Sequence, residues 1–330
     1  MKTRREFLIA VGAGAGAFAV PLAALAQQSS AKIHRIGFLG TPSAIAFTSR
    51  IEALRAGLRE LGYVEGKNII LEFRWAEGKY ERLPELAAEL VRSKVDVIVT
   101  HAPPGTLAAK RATSTIPIVI AVTGDAVATG LVASLARPGA NVTGSTFFGP
   151  ELAAKKLELL KEMQPRMKRA AALVNLDNSQ MKSVLQAMEA TAKLLKLELQ
   201  PFGVHAPGEF DSAFSEMLRW RADALVVYED AMFIANAKAV AELASKRRLP
   251  SVGGGEFVEA GGLMSYGVDL LRFWRRAAYF VDRILKGAKP GDLPVEQATR
   301  FELVINMKTA KALGIKVPQS VLVRADKVIE

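Results

Sequence analysis

From residue 33 onward the chain alternates short apolar runs with longer stretches in which apolar residues recur every three or four positions. The first kind fits strands and the second amphipathic helices. Strands are predicted over 33–39, 69–75, 95–100 and 117–122, with helices over 44–61, 80–92, 107–112 and 131–135. A second series follows residue 149, with helices over 152–163, 179–195, 210–219 and 233–246 and strands over 169–175, 198–203, 224–228, 251–253 and 263–266. Repetition of strand, helix and strand demands right-handed crossovers, hence largely parallel sheets covered by helices on both faces. The predicted class is α/β, built as two doubly wound lobes.

The rest of the chain returns to this frame. A helix over 270–286 stops at Gly287, and Pro290, Pro294 and Pro318 keep the tail extended apart from a strand over 301–305 and a helix over 308–313. The chain is expected to cross between the lobes more than once, near Phe147-Phe148-Gly149 and near Gly267. One lobe would then comprise 32–146 plus 268–288, the other 147–267 plus 289–330.

Residues 1–26 break the pattern. Lys2, Arg4 and Arg5 precede an uncharged apolar run and the small-x-small sequence Ala24-Leu25-Ala26, the layout of an export signal cleaved after Ala26. Thr3-Arg4-Arg5-Glu6-Phe7-Leu8 resembles the twin-arginine form of such signals. Gly14-x-Gly16-x-x-Ala19 also satisfies a dinucleotide-binding turn, but its context is wrong and no acidic residue follows until Glu52. A periplasmic destination is expected.

The 330 residues carry a net charge of +11, and loss of the leader leaves about +9. Lys155-Lys156, Arg247-Arg248 and Arg275-Arg276 are separated and lie on helical patterns that also carry Glu or Asp, forming no continuous basic stripe, which argues against nucleic acid as a partner. Cysteine is absent, so no disulfide, no thiolate chemistry and no lipid-anchored cysteine are expected.

Open parallel sheets gather ligands beyond the carboxyl ends of their strands. The candidate ligand-binding residues lie in those loops: Thr41, Ser43, Thr100, His101, Thr123, Gly124 and Asp125 from the first series, and Asp177, Tyr228, Asp230 and Glu256 from the second. Hydroxyls and free amides on the first side suit a carboxylate. Acidic groups on the second suit an ammonium, and Tyr228 suits stacking on a ring. Ser43, Asp125, Ser179 and Asp230 are equally well placed to cap helices. Reaction chemistry finds no matching set. His34, His101 and His205 lack metal spacing, Ser179-Gln180-Met181-Lys182 lacks the companions of an S-x-x-K site, and Gly62 to Lys67 lacks phosphate-loop spacing. No catalytic residue, metal or cofactor is predicted.

Longer motifs carry a resemblance. Ala56-Gly57-Leu58-Arg59-Glu60-Leu61-Gly62-Tyr63-Val64-Glu65-Gly66-Lys67-Asn68, Arg74-Trp75-Ala76-Glu77-Gly78, Leu131 to Gly139, Gly261 to Gly267 and Phe301 to Asn306 occur in order. Together they resemble the ABC-transporter substrate-binding proteins related to the bacterial tryptophan- and tyrosine-uptake lipoproteins. Gly124-Asp125-Ala126-Val127 departs from that family's usual Gly-Asp-Pro-Val. The resemblance implies a periplasmic-binding-protein fold of the first type, with two lobes joined by a multi-strand hinge and closing on a small molecule. It also implies a membrane permease as partner, with an amino acid, aromatic among others, as ligand. A soluble, monomeric solute receptor is the leading expectation, and an exported enzyme or a ligand-sensing regulatory core are the alternatives.

Overall fold

Strand β1 (His34–Gly40) is buried on both faces from Ile36 onward, as expected of a strand flanked by neighbours and covered by helices. The computed structural model describes residues 32–330, and the export signal expected over 1–26 lies outside the described residues. After β1 come α1 (Thr48–Glu60), β2 (Ile69–Trp75), α2 (Leu83–Arg92), β3 (Val97–Thr100), α3 (Ala102–Ala112), β4 (Ile118–Gly124) and β5 (Val142–Phe147).

The chain then leaves this sheet. The second series runs through α4 (Gly149–Met163), β6 (Arg169–Asn175), α5 (Met181–Leu194), β7 (Glu198–Val204), α6 (Phe210–Arg219), β8 (Ala224–Val227), α7 (Ala231–Ala235), α8 (Ala237–Lys246), β9 (Ser251–Gly253), α9 (Gly255–Glu259) and β10 (Met264–Gly267). It returns through α10 (Leu270–Leu285) and β11 (Glu296–Gln297), and ends in β12 (Glu302–Asn306), α11 (Met307–Leu313), α12 (Gln319–Leu322) and β13 (Lys327–Ile329).

Two sheets result, ordered β11-β5-β4-β3-β1-β2 and β13-β12-β10-β9-β8-β6-β7. All neighbours are parallel except β10 and β12. Each sheet has an apolar cluster on either face: Phe38, Leu54 and Trp274 against Leu86, Ile98 and Ile120 in the first, Leu157, Val184 and Met264 against Phe214, Leu225 and Val240 in the second. The chain passes between the sheets after Phe147, after Gly267, and again between β11 and β12. That third passage lies later than the expected break after residue 288, because Glu296 and Gln297 pair with Ser145 and Thr146 of the first sheet. Tyr266 and Phe301 stack with centroids 5.9 Å apart, bracing two of the three passages against each other.

Other expectations need correction. Residues 131–135 form bends and no helix: Leu131 and Val132 donate back to the Ala126 carbonyl, and Ala133 donates forward to Pro138. The helix expected over 107–112 begins at Ala102, because proline is tolerated in a first helical turn where N–H groups lack partners. The helix expected over 233–246 breaks at Asn236, whose side-chain amide donates to the Met232 carbonyl. Strands β5, β11 and β13 were not predicted at all.

One irregularity bears on the site. The pairing of β4 with β5 shifts between Ile120 and Thr123, so β4 carries an extra residue there. A bulge of this kind re-aims the side chains that follow it. It also needs Gly144 on the partner strand, with φ 137°, where a Cβ would lie 2.1 Å from the Ile120 carbonyl oxygen.

Candidate functional site

A cavity of about 50 Å³ lies where the carboxyl edges of the two sheets face each other. Phe47, Phe147 and Trp274 give it an apolar wall, supplemented by Leu270 and Ile234. Phe47 and His101 have ring centroids 4.7 Å apart, and His101 and Trp274 5.4 Å, so the wall is a packed aromatic cluster. Thr123 and Gly124 from the end of β4, Asn178 and Gln180 from the loop before α5, and Glu229 and Asp230 after β8 supply the polar side.

The charged groups at the cavity are all partnered. Arg50, 3 % exposed on α1, forms an ion pair with Glu256 of α9 on the opposite side of the cleft. Burial lowers the Arg50 pKa, an effect that Glu256 partly offsets. Lys156 of α4 is wholly buried and pairs with Glu229. Asp230 caps α7 by accepting from the Met232 N–H at 2.8 Å, and accepts from Asn175 Nδ2 at 3.0 Å and Asn178 Nδ2 at 2.8 Å. Tyr80, from the first half, donates to the same carboxylate at 3.3 Å. Burial nevertheless raises the Asp230 pKa.

Two uncharged polar atoms lining the cavity have no partner among the described residues: Thr123 Oγ1 and Gln180 Nε2, on side chains 1 % and 2 % exposed as residues, while Glu229 Oε2 lacks a hydrogen-bond partner beside the Oε1 that pairs with Lys156. Gln180 is held in place on its other side. Its Oε1 accepts from the Tyr228 hydroxyl at 2.7 Å, and burial keeps that phenol protonated by pushing its pKa well up.

Among the predicted residues, His101, Thr123, Gly124 and Asp230 line the cavity. Thr41 lies behind it, donating its backbone N–H to His101 Nε2 at 3.3 Å. With that nitrogen accepting, the neutral ring carries its proton on Nδ1. Burial, helped by the Arg50 charge, holds the His101 pKa down at about 3. Thr100 bonds the Leu39 carbonyl. Ser43 and Asp125 serve their own loops: Ser43 accepts from Ala46 N–H, and Asp125 from Val127 and Ala128. Asp177 turns outward to His205 at 2.9 Å. Tyr228 is core and positions Gln180 where ring stacking was expected, and Glu256 is committed to Arg50.

Sequence reasoning missed Phe47, Arg50, Phe147, Gln180 and Trp274. For Arg50 a signal existed: it falls on the apolar stripe of Ile51, Leu54 and Leu58 on α1, just after the buried Phe47, where a charge must find a buried partner. Lys156 sits likewise among Leu152, Ala153, Leu157 and Leu160.

Among the described residues no group of histidines and carboxylates is arranged to hold a metal ion, and no helix is long and apolar enough to cross a membrane. The family model "ABC transporter substrate binding protein" matches residues 38–329. The tyrosine-binding protein of Clostridioides difficile is 29 % identical over 260 residues, covering 78 % of this chain and 74 % of its own. A Streptococcus pneumonia ABC domain solved in complex with L-Trp is 30 % identical and superposes with a TM-score of 0.81 over 89 % of this chain and 100 % of its own. A ligand-free, open substrate-binding protein of Clostridium difficile is 25 % identical, with a TM-score of 0.63 over 90 % of this chain and 99 % of its own. With the fold of the type 1 periplasmic binding proteins and a family match spanning nearly all described residues, the chain belongs to the ABC transporter substrate-binding proteins.

Proposed function

We propose that this chain is the soluble, periplasmic receptor of an ABC importer, binding one small molecule between its two halves as a monomer and delivering it unaltered to a membrane permease. The observation that carries this reading is the cavity between the two sheet edges, where an aromatic wall faces polar groups contributed by both halves. The higher overlap with the L-Trp complex than with the open relative supports a closed arrangement of this chain. Hinge closure of this kind commits a solute by burying it.

An aromatic amino acid is the first candidate ligand, on the strength of Phe47, Phe147 and Trp274 and of what the relatives bind. The cavity as closed holds roughly three or four waters, so a solute of that size enters with the halves further apart or with Arg50 drawn back. No chemical step belongs to this reading.

Thermal unfolding of the chain beginning at Gln27, titrated with each of the common amino acids, tests it. Binding raises the midpoint in proportion to the logarithm of ligand concentration, most for L-tyrosine or L-tryptophan. Flat midpoints throughout would remove the amino-acid assignment. Consumption of any compound would replace the receptor with an enzyme.

A further inference from the structure

The two unpartnered donors at the cavity come from opposite sides of the cleft. Thr123 Oγ1 belongs to the end of β4, and Gln180 Nε2 to the loop before α5. Neither is there by default. The bulge in β4 immediately precedes Thr123 and re-aims it. Gln180 is tied through Oε1 to Tyr228, which leaves its amide nitrogen as the end facing the cleft.

Two glycines from different elements make room for that amide. A Cβ on Gly124 would lie 2.0 Å from Gln180 Oε1 and 2.2 Å from Nε2, and one on Gly149 would lie 2.9 Å from Nε2 and 2.7 Å from the Tyr228 hydroxyl. Neither glycine has a positive φ, so space and not backbone conformation is what they provide. Other donors near the cavity are few. Helix α3 points its first turn there, but Pro103 and Pro104 have no N–H to offer. Arg50 is already paired with Glu256, and Glu229 and Asp230 present acceptors, not donors.

Resting on the receptor reading, we propose that Thr123 and Gln180 act as a two-sided clamp for one oxygen acceptor of the solute, a carboxylate or carbonyl attached to an apolar body. Because one donor comes from each half, the acceptor is bound fully only when the cleft is closed. Ligand recognition and closure are thereby the same event. The clamp favours solutes by the carboxylate or carbonyl they carry, while an ammonium group alone gains nothing from it.

The probes are L-tryptophan, L-tyrosine, indole-3-acetate, indole-3-acetamide, tryptamine and tyramine, with affinity read by calorimetry and closure by small-angle scattering. The wild type is expected to bind and close on the probes that carry a carboxylate or carbonyl, and to bind the two amines at least tenfold more weakly. Indole-3-acetate against indole-3-acetamide separates carboxylate from carbonyl. Thr123→Val and Gln180→Glu, both close in size to the residues they replace, are each expected to lose at least tenfold in affinity and to lessen closure, with Thr123→Ser recovering most of it. Amines binding as tightly as the acids, or both variants binding and closing as the wild type does, would overturn the clamp and leave the receptor standing. A wild type that binds none of the carboxylate- or carbonyl-bearing probes would overturn the clamp together with the assignment of an aromatic solute.

Discussion

His101 shows what the cleft does to a single side chain. Its ring is packed among Phe38, Phe47 and Trp274, and burial beside Arg50 holds its pKa down at about 3, against an ordinary value of 6.5. The unfolded chain therefore takes up the proton first as pH falls. Stability supplied by the neutral ring is complete above pH 6.5 and is lost as pH drops from there toward 3, at up to about 1.4 kcal/mol per unit. Replacing His101 with Gln is expected to flatten that part of the stability curve relative to wild type, measured by urea unfolding between pH 4 and 7. Equal slopes for the two proteins would contradict the buried neutral ring. At this scale the sequence was partly legible. Loop residues such as His101 and Thr123 could be named because strand ends point to a site, whereas Gln180 owes its place to Tyr228 and two glycines distant in sequence.

At the scale of elements, α1 and α10 pack closely against each other in the first half. A Cβ on Gly57 would lie 2.4 Å from the Arg275 carbonyl oxygen and 2.9 Å from Ala278 Cβ, so a glycine in mid-helix is there to let two backbones approach. Gly57→Val forces the helices apart at a cost of about 1–3 kcal/mol, seen as a lower denaturant midpoint with an unchanged slope. An unchanged midpoint would mean that the helices are not held this closely. Elements were legible wherever burial imposed a period: β1, β2, α2 and β6 follow the predicted runs closely. They were not legible where a tertiary partner defines them. Strand β11 is two residues long and exists by pairing with β5, and β5 itself, Val-Thr-Gly-Ser-Thr-Phe, carries a glycine and three hydroxyls that suggest a loop.

For the molecule as a whole, the contacts across the cleft decide which arrangement is populated. Arg50 with Glu256, and Tyr80 with Asp230, join the two halves without a solute. Glu256→Gln leaves the Arg50 charge short of its counter-ion. Because Glu256 is itself about one-third exposed, the cost is set at about 1–2 kcal/mol. Opening the cleft lets water reach Arg50, so the expected result is a larger radius of gyration in solution and a weaker affinity for the solute, with unfolding little changed. A fall in unfolding stability at constant radius would show instead that the pair supports the fold alone.

The central claim is that a solute is held between the two halves and released as the same compound. Native mass spectrometry of the chain beginning at Gln27, after incubation with an equal mixture of the common amino acids and desalting, tests it most directly. The account predicts one adduct per chain, with L-tyrosine or L-tryptophan recovered intact on denaturation. A bare chain at every solute concentration, or a recovered compound of altered mass, would contradict it.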